Sequence, residues 1–471
     1  MKNPGRIVIL GAGPTGLGAA WRLHELGCDS WLVLDRADRP GGLARSYVDD
    51  AGFTWDVGGH VQFSHYAYYD ALCDRALGDA WLHHQRESWI WITGRFVPYP
   101  FQNNIHRLDP ADRDRALAGL ERAAAAPHAP AANFRDWILA TFGRELADIF
   151  FFPYNAKVWG VPLETIGVHW MGERVAVPDL ERVRRNVRER RDDVSWGPNN
   201  LFRFPLRGGT GAIWSNVARL LPTEQLLFGA DVTAIRLDAR VVVLRDGREI
   251  SYDALLTSLP LDALCRFATP LPDDVRRAGA ALVHSAVHVL GVGLRGPRPQ
   301  TLAKKCWMYF PEAHSPYYRV TVFSNYSPQN TPPGPDYWSL MAEVCESAHK
   351  AVDVVALRDN TLAAMRRDGL LGASEVVSFW HHREEHGYPT PSRARDEALG
   401  IVLPALEARG VYSRGRFGAW KYEVSNQDHS CMQGVELADR LLGVGDGSEP
   451  TLETPDAVNG GAFARLRRPS S

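Results

Sequence analysis

Apolar residues open the chain in one unbroken run. Arg6-Ile-Val-Ile-Leu10 shows no polar alternation, which suits a strand buried on both faces of a parallel sheet. Gly11-Ala-Gly-Pro-Thr-Gly16 ends that run, and Leu17 to Glu25 has helical composition. A second apolar run, Trp31-Leu-Val-Leu34, stops at Asp35. The pattern predicts strand, glycine turn, helix, strand, acid. Trp89 to Ile92 and Arg95 to Tyr99 read as a hairpin around Thr93-Gly94. From Pro110 to about Arg191 the texture is helical: through Ala126, from Phe134 to Phe150, and from Asp179 onward. Ala212 to Leu221 is a further helix, after Gly208-Gly-Thr-Gly211. Asp231 to Asp238, Arg240 to Arg245 and Glu249 to Tyr252 alternate like short strands, with a turn at Asp246-Gly247. Val283 to Leu294, Arg319 to Ser324 and Trp338 to Val344 are β-like, whereas Val354 to Arg367 and Arg393 to Arg409 are helical. Leu441 to Asp446 is expected as a last strand, and Arg465 to Ser471 as a loose tail.

The first forty-five residues carry specific chemistry. Gly11 permits a tight turn, Gly13 lets backbone approach a pyrophosphate, and Gly16 allows a helix to pack closely on a strand. The helix start then turns N–H groups and a partial positive charge toward phosphate. Asp35 lies at the spacing of the acid that binds a ribose hydroxyl. A second glycine pair, Gly41-Gly42 before Leu43, follows the acid-ended strand. That arrangement resembles the FAD-binding signature of the amine oxidase and phytoene desaturase superfamily. An NAD dehydrogenase has no need of it.

Composition narrows the classes. A chain of 471 residues can hold two or three domains with sizeable cores. Its formal charge of −2 argues against nucleic acid or an anionic membrane as main partner. No apolar run reaches the length of a membrane span and no signal-peptide pattern opens the chain, so a cytoplasmic enzyme without membrane insertion is expected. Cys28, Cys73, Cys265, Cys306, Cys345 and Cys431 are scattered without a CxxC, and read as reduced thiols rather than a metal or disulfide framework. Arg182, Arg184, Arg185, Arg188, Arg190 and Arg191 interleave with Glu181, Glu189, Asp192 and Asp193, the pattern of a solvated helix face.

Several long blocks narrow the reading further. Gly59-His-Val-Gln-Phe-Ser-His-Tyr66, Pro153-Tyr-Asn-Ala-Lys-Val-Trp159 and Phe204-Pro-Leu-Arg-Gly-Gly-Thr-Gly211 resemble the UDP-galactopyranose mutase family, most closely its eukaryotic, fungal-type branch. Val97 to Ile105, Gly172 to Val175, Phe323 to Pro328, His386 to Pro391, Arg414 to Gly418 and Tyr422 to His429 extend the resemblance, which runs from Gly11 to Gly460. It implies an α/β fold: a Rossmann-like FAD-binding domain with an inserted helical domain and an antiparallel β-sheet domain. The expected division is 1–85, 205–260 and 425–465 for the FAD-binding part, 105–200 for the helical substrate and uridine part, and 86–104, 280–345 and 375–424 for the antiparallel sheet.

The implied activity is interconversion of UDP-galactopyranose and UDP-galactofuranose without net redox change. Reduced FAD is nevertheless required, since its N5 attacks the anomeric carbon and expels UDP. NADPH or NADH is the implied reductant. The resemblance places His60 on a loop beside the flavin, with its backbone carbonyl accepting from the reduced N5–H. Arg174 and Arg319 would grip the diphosphate, a match of guanidinium forks to phosphate. Tyr326, Tyr388 and Tyr422 would complete that clamp, with Asn199 and Trp307 around the galactose. Tyr99, Phe101 and Gln102 fall at the uridine end, with Phe150, Asn155 and Trp159 as its helical wall. Flavin contacts are implied for Gly11, Gly13, Thr15, Gly16, Asp35, Gly41, Gly42, Leu43, Gly59 and His60, and near the C-terminus for Asn426, Gln427 and Ser430. Arg86, Tyr309 and Arg416 fall where fungal-type enzymes bind the flavin or its nicotinamide reductant.

Departures from the fungal pattern are a shorter segment between Asn330 and Trp338, Phe151 and Phe152 in place of a more polar pair, Glu87 beside Arg86, and a curtailed C-terminal extension. They leave homo-oligomerisation and the reductant open. The alternatives are a mutase for another UDP-sugar, a flavin amine oxidase or desaturase-type oxidoreductase, and a non-catalytic UDP-sugar sensor. An oxidase would have no use for two arginines and three tyrosines converging on one anion.

Overall fold

A computed structural model of the chain describes residues 4–127, 130–172, 175–194, 197 and 200–466. The two opening apolar runs are strands, Ile7–Leu10 and Trp31–Asp35, and the helix between them is Pro14–Glu25. They lie in a five-stranded parallel sheet ordered Val411–Ser413, Ala254–Thr257, Ile7–Leu10, Trp31–Asp35, Leu226–Phe228. Ile7 and Ile9 face one core, with Leu17, Trp21 and Trp214, while Val8 and Leu10 face another, with Val242, Leu261 and Val402. Burial on both faces explains why the first run shows no polar alternation.

A seven-stranded sheet forms the second layer. Its order is Glu375–Pro389, His284–Arg295, Tyr337–Glu346, Arg319–Thr321, Trp307–Tyr309, Ser88–Ile92, Arg95–Pro98. Every pairing is antiparallel except Trp307–Tyr309 on Ser88–Ile92, which is parallel. The third part is helical: Pro110–Ala125, Phe134–Leu146, a π-turn over Ala147–Phe151, Phe152–Trp159 and Leu180–Glu189. The arginine-rich helix is solvated as expected: Val183 and Asn186 are its buried positions, and Arg184 pairs with Glu181 and Glu121.

Near the C-terminus one expectation fails, and the structure tests another only at its start. Leu441 and Leu442 do not start a strand; they close the helix Gln427–Leu442, which stops at Gly443 in the left-handed region, φ +67°. A short apolar run followed by glycine suits a helix end as well as a strand, and only packing separates the two. The outer strand of the parallel sheet is Val411–Ser413 instead. Arg465 and Leu466 belong to the helix Pro455–Leu466, and the remainder of the expected tail lies outside the described residues. The six cysteines are free thiols, Cys28 half-buried and the others buried.

Candidate functional site

The glycine turn after the first strand folds against the second glycine pair. Gly11 has φ +104°, Gly41 φ +118° and Gly42 φ +53°, so all three need a conformation that side chains disfavour. A Cβ on Gly42 would lie 3.1 Å from the Gly13 Cα, and Gly41 N–H donates to the Ala12 carbonyl at 2.8 Å. Asp35 closes the turn by accepting from Ala12 N–H at 2.7 Å and Ala37 N–H at 2.8 Å. Side-chain-free backbone at a helix start is a cradle that fits a pyrophosphate.

The helix Gln427–Leu442 reaches the same cradle because glycines let it press on Pro14–Glu25. A Cβ on Gly434 would collide with the Thr15 carbonyl, and one on Gly18 would lie 2.7 Å from the Cys431 carbonyl. Asn426, Gln427 and Ser430 therefore begin a helix that lies against the first glycine turn. Gln427 Oε1 accepts from Trp214 Nε1 at 2.7 Å. Gln433 accepts from Gly415 N–H at 2.6 Å and donates to the Val424 carbonyl at 2.8 Å, tying the adjoining loop to this helix.

Gly58-Gly59-His60 forms the next wall. Gly59 N–H donates to Glu343 Oε1 at 3.1 Å, and Gly59 lacks room for a side chain beside Thr321 Oγ1. Glu343 is the buried hub here. It accepts from Arg319 Nε and Nη2, each at 2.7 Å, and from the Tyr318 hydroxyl at 2.8 Å. Burial opposes ionisation of this carboxyl, but Arg319 and the other donors hold it below its ordinary value. Burial pushes the His60 imidazole down to about 4; Glu343 opposes the fall, while Arg416 and Arg319 add to it. His60 Nδ1, Thr321 Oγ1 and Tyr326 Oη are buried without a hydrogen-bond partner among the described residues. Such atoms are costly unless a ligand satisfies them.

Aromatic rings line the remainder. Phe101 packs on Phe150 at 4.8 Å, Phe150 stacks on Tyr154 at 5.2 Å, and Tyr154 meets Tyr309 edge-on at 5.3 Å. Tyr309 contacts Tyr99 at 5.4 Å and accepts from Trp307 Nε1. The Arg86 guanidinium sits 5.9 Å from the Tyr99 ring and 5.7 Å from the Trp307 ring. Trp159 meets Tyr422 at 5.0 Å and Tyr388 at 6.2 Å. Arg416 lies over both tyrosines, at 5.0 Å from Tyr388 and 5.8 Å from Tyr422, and is fixed by Ser425 Oγ and the Gly387 carbonyl at 2.9 Å each. Burial raises the Tyr326 and Tyr388 hydroxyls while the Arg319 charge opposes the rise, so this guanidinium acts on both.

Most of the sequence-selected residues thus converge, with particular placements. Arg416, expected at the flavin or nicotinamide, lies over the Tyr388 and Tyr422 rings. The Tyr326 ring packs among Phe202, Phe204 and Phe323. Gln102 donates to the Ala176 carbonyl, and Asn155 to the Phe151 carbonyl at 2.8 Å, so both amides are partly engaged by backbone. Arg174 and Asn199 lie outside the described residues. Sequence reasoning missed Glu343, Tyr154, Tyr318 and Gln433. A glutamate inside the apolar stretch Trp338 to Val344 was the one signal available for the first of them.

Comparisons with known proteins show the family and the fold. Residues 14–392 match the family model described as flavin containing amine oxidoreductase. A solved structure of reduced UDP-galactopyranose mutase is 49% identical, with 97% of each chain covered and a TM-score of 0.94. Cyclohexylamine oxidase from Brevibacterium oxydans superposes with a TM-score of 0.65 at 15% identity, over 93% of this chain and 99% of that one. A fatty acid isomerase from P. acnes reaches a TM-score of 0.61 at 16% identity, over 93% and 99%. The last two share the fold alone.

Proposed function

This chain belongs to the flavin-containing amine oxidoreductase family, among its UDP-galactopyranose mutases, and on that premise we propose that it is the isomerase interconverting UDP-galactopyranose and UDP-galactofuranose. When bound, reduced FAD supplies the nucleophile, its N5 acting on the anomeric carbon. The glycine cradle of Gly11, Gly13, Gly41 and Gly42 holds the FAD pyrophosphate, and Asp35 takes a ribose hydroxyl.

The chain's own residues do the remaining work. Arg319 spends Nε and one Nη2 hydrogen on Glu343, which leaves both Nη1 hydrogens and the second Nη2 hydrogen for a diphosphate oxygen. Arg174 joins it on the other phosphate. Tyr326, Tyr388 and Tyr422 add hydroxyl donors to the same anion as negative charge gathers on the leaving UDP. Tyr99, Phe101 and Gln102 hold the uridine, against the wall of Phe150, Asn155 and Trp159. Asn199 and Trp307 meet the sugar. Neutral His60 would offer its backbone carbonyl to the reduced flavin, on a loop that Gly58 and Gly59 keep free of side chains. Arg86, Tyr309 and Arg416 would contact the flavin or the NADPH or NADH that reduces it. The order of the sequence blocks favours the fungal-type branch. A cytoplasmic setting and self-association complete the proposal; among the described residues no helix is long and apolar enough to cross a membrane.

The observation that carries this reading is the buried, unpartnered Tyr326 hydroxyl within the field of Arg319. Anaerobic protein is incubated with UDP-galactofuranose, with and without dithionite, and the nucleotide sugars are separated by chromatography. UDP-galactopyranose should form only after reduction, with UDP competing and GDP not. Equal turnover by oxidised enzyme defeats the flavin role. Consumption of dioxygen with an oxidised product would point to an oxidase, and turnover of other UDP-sugars alone would change the sugar.

A further inference from the structure

Two walls of the proposed flavin site, the His60 loop and the start of the helix Gln427–Leu442, are joined by a buried carboxylate–imidazole contact. Asp428, in the first turn of that helix, accepts through Oδ2 from the His65 backbone N–H at 3.0 Å and lies 2.6 Å from His65 Nδ1. The two side chains are 1% and 0% exposed. A carboxylate at a helix start is favoured by the N-terminal dipole. In a dry interior it binds a charged or neutral imidazole strongly, and its loss leaves buried polar atoms unpaired.

The surroundings hold the pair in one arrangement. The His429 ring lies 4.3 Å from the His65 ring, and His429 Nε2 meets Asn459 Oδ1 at 2.9 Å. Tyr66 stands edge-on to His429 at 5.8 Å and bonds Thr451 Oγ1 at 2.6 Å. The far end of the loop has its own anchors. Asp56 accepts from Ser46 Oγ and from Thr210 N–H and Oγ1, and Gln62 pairs backbone to backbone with Arg203 at 3.0 and 2.8 Å. Asp428 thus ties residues 60–65 directly to the Asn426–Ser430 turn.

We propose that Asp428 and His65 are positioning residues that set the spacing between the His60 loop and the Asn426–Ser430 helix start, and hence the width of the flavin slot between them. The placement of flavin in that slot rests on the mutase reading above; the tie itself does not. His65→Ala removes the ring donor, whereas His65→Asn restores an N–H donor of similar reach, and Asp428→Asn removes the charge while keeping an acceptor.

The test uses flavin-loaded full-length protein. Hydrogen exchange followed by mass spectrometry should show faster exchange at both 58–64 and 426–430 in His65→Ala and Asp428→Asn, with His65→Asn near wild type. In the same His65→Ala protein, kcat should fall about tenfold or more while KM for UDP-galactopyranose stays within about threefold, since the diphosphate clamp is untouched. The flavin midpoint potential should move in His65→Ala and return in His65→Asn. Unchanged exchange in both segments of a folded, flavin-loaded His65→Ala protein overturns the proposal. Loosened segments with no shift of potential or kcat also overturn it, leaving a purely structural contact. Loosened segments and a shifted potential in a protein whose wild type shows no mutase turnover would sustain the tie and refute the mutase reading instead.

Discussion

Arg319 and Glu343 face each other directly across neighbouring antiparallel strands and form a two-point ion pair, Nε to Oε1 and Nη2 to Oε2, both at 2.7 Å. The same carboxylate takes the Gly59 N–H and the Tyr318 hydroxyl. One buried acid therefore orients Arg319, the arginine proposed for the diphosphate, and holds the loop that bears His60.

Glu343→Gln should weaken both tasks. A hydrogen bond to a charged group contributes about 1.5–3 kcal/mol, so kcat/KM is expected to fall roughly ten- to hundred-fold. Steady-state assays of reduced enzyme measure this. Retention of near wild-type kcat/KM would show that Arg319 finds its geometry without the carboxylate.

Arg319→Ala and Arg174→Ala should each lower kcat/KM by roughly ten-fold to hundred-fold or more, with flavin content preserved. Stability should separate them from one another. Arg319→Ala strands the buried Glu343 charge, and removing one partner of a buried pair costs about 3–5 kcal/mol. The double variant Arg319→Ala/Glu343→Gln should recover thermal stability without recovering activity, a coupling that denaturation midpoints will measure.

Gly42→Ala should lower flavin loading. The position has φ +53°, and a Cβ there would crowd Gly13 at 3.1 Å, in the turn assigned to the pyrophosphate. The ratio of flavin to protein absorbance after purification measures loading. An unchanged ratio would move the pyrophosphate away from this turn.

His60 predicts an acid dependence. Its folded pKa is lowered from 6.5 to about 4, chiefly by burial, so between those values the unfolded chain binds a proton that the native chain refuses. The stability is present above pH 6.5 and is lost as pH falls through 4. His60→Gln cannot titrate and should lose less stability over that window, as melting temperatures at pH 7, 5.5 and 4.5 will register. Parallel loss in both proteins would assign the dependence to other groups. Glu343, held below its ordinary value, acts in the same direction at lower pH.

Residues close in sequence made the cradle legible. Gly11, Gly13, Gly16 and Asp35 form one strand–turn–helix–strand unit, in which glycine conformation and helix-start chemistry are properties of the local chain. The long sequence blocks also carried the family, and they singled out Tyr388, Tyr422 and Arg416, which the fold brings together. Glu343 was not legible, because its role exists only where strand register sets it opposite Arg319 and the loop brings Gly59 above it. The Asp428–His65 contact spans 363 residues and shows no spacing signal.

The sequence by itself determined the elements governed by local periodicity and backbone freedom: the buried parallel strands, the glycine turns and the helices of the third part. Tertiary structure alone decided whether Leu441 and Leu442 end a helix or begin a strand, since an apolar pair suits both and only packing on Pro14–Glu25 distinguishes them. It also decided which hydrogen bonds Gln102 and Asn155 have already committed to backbone carbonyls, and which carboxylate holds Arg319. Those partners lie from four to seventy-four residues away, and an amide or guanidinium takes whichever acceptor the folded chain brings within about 3 Å.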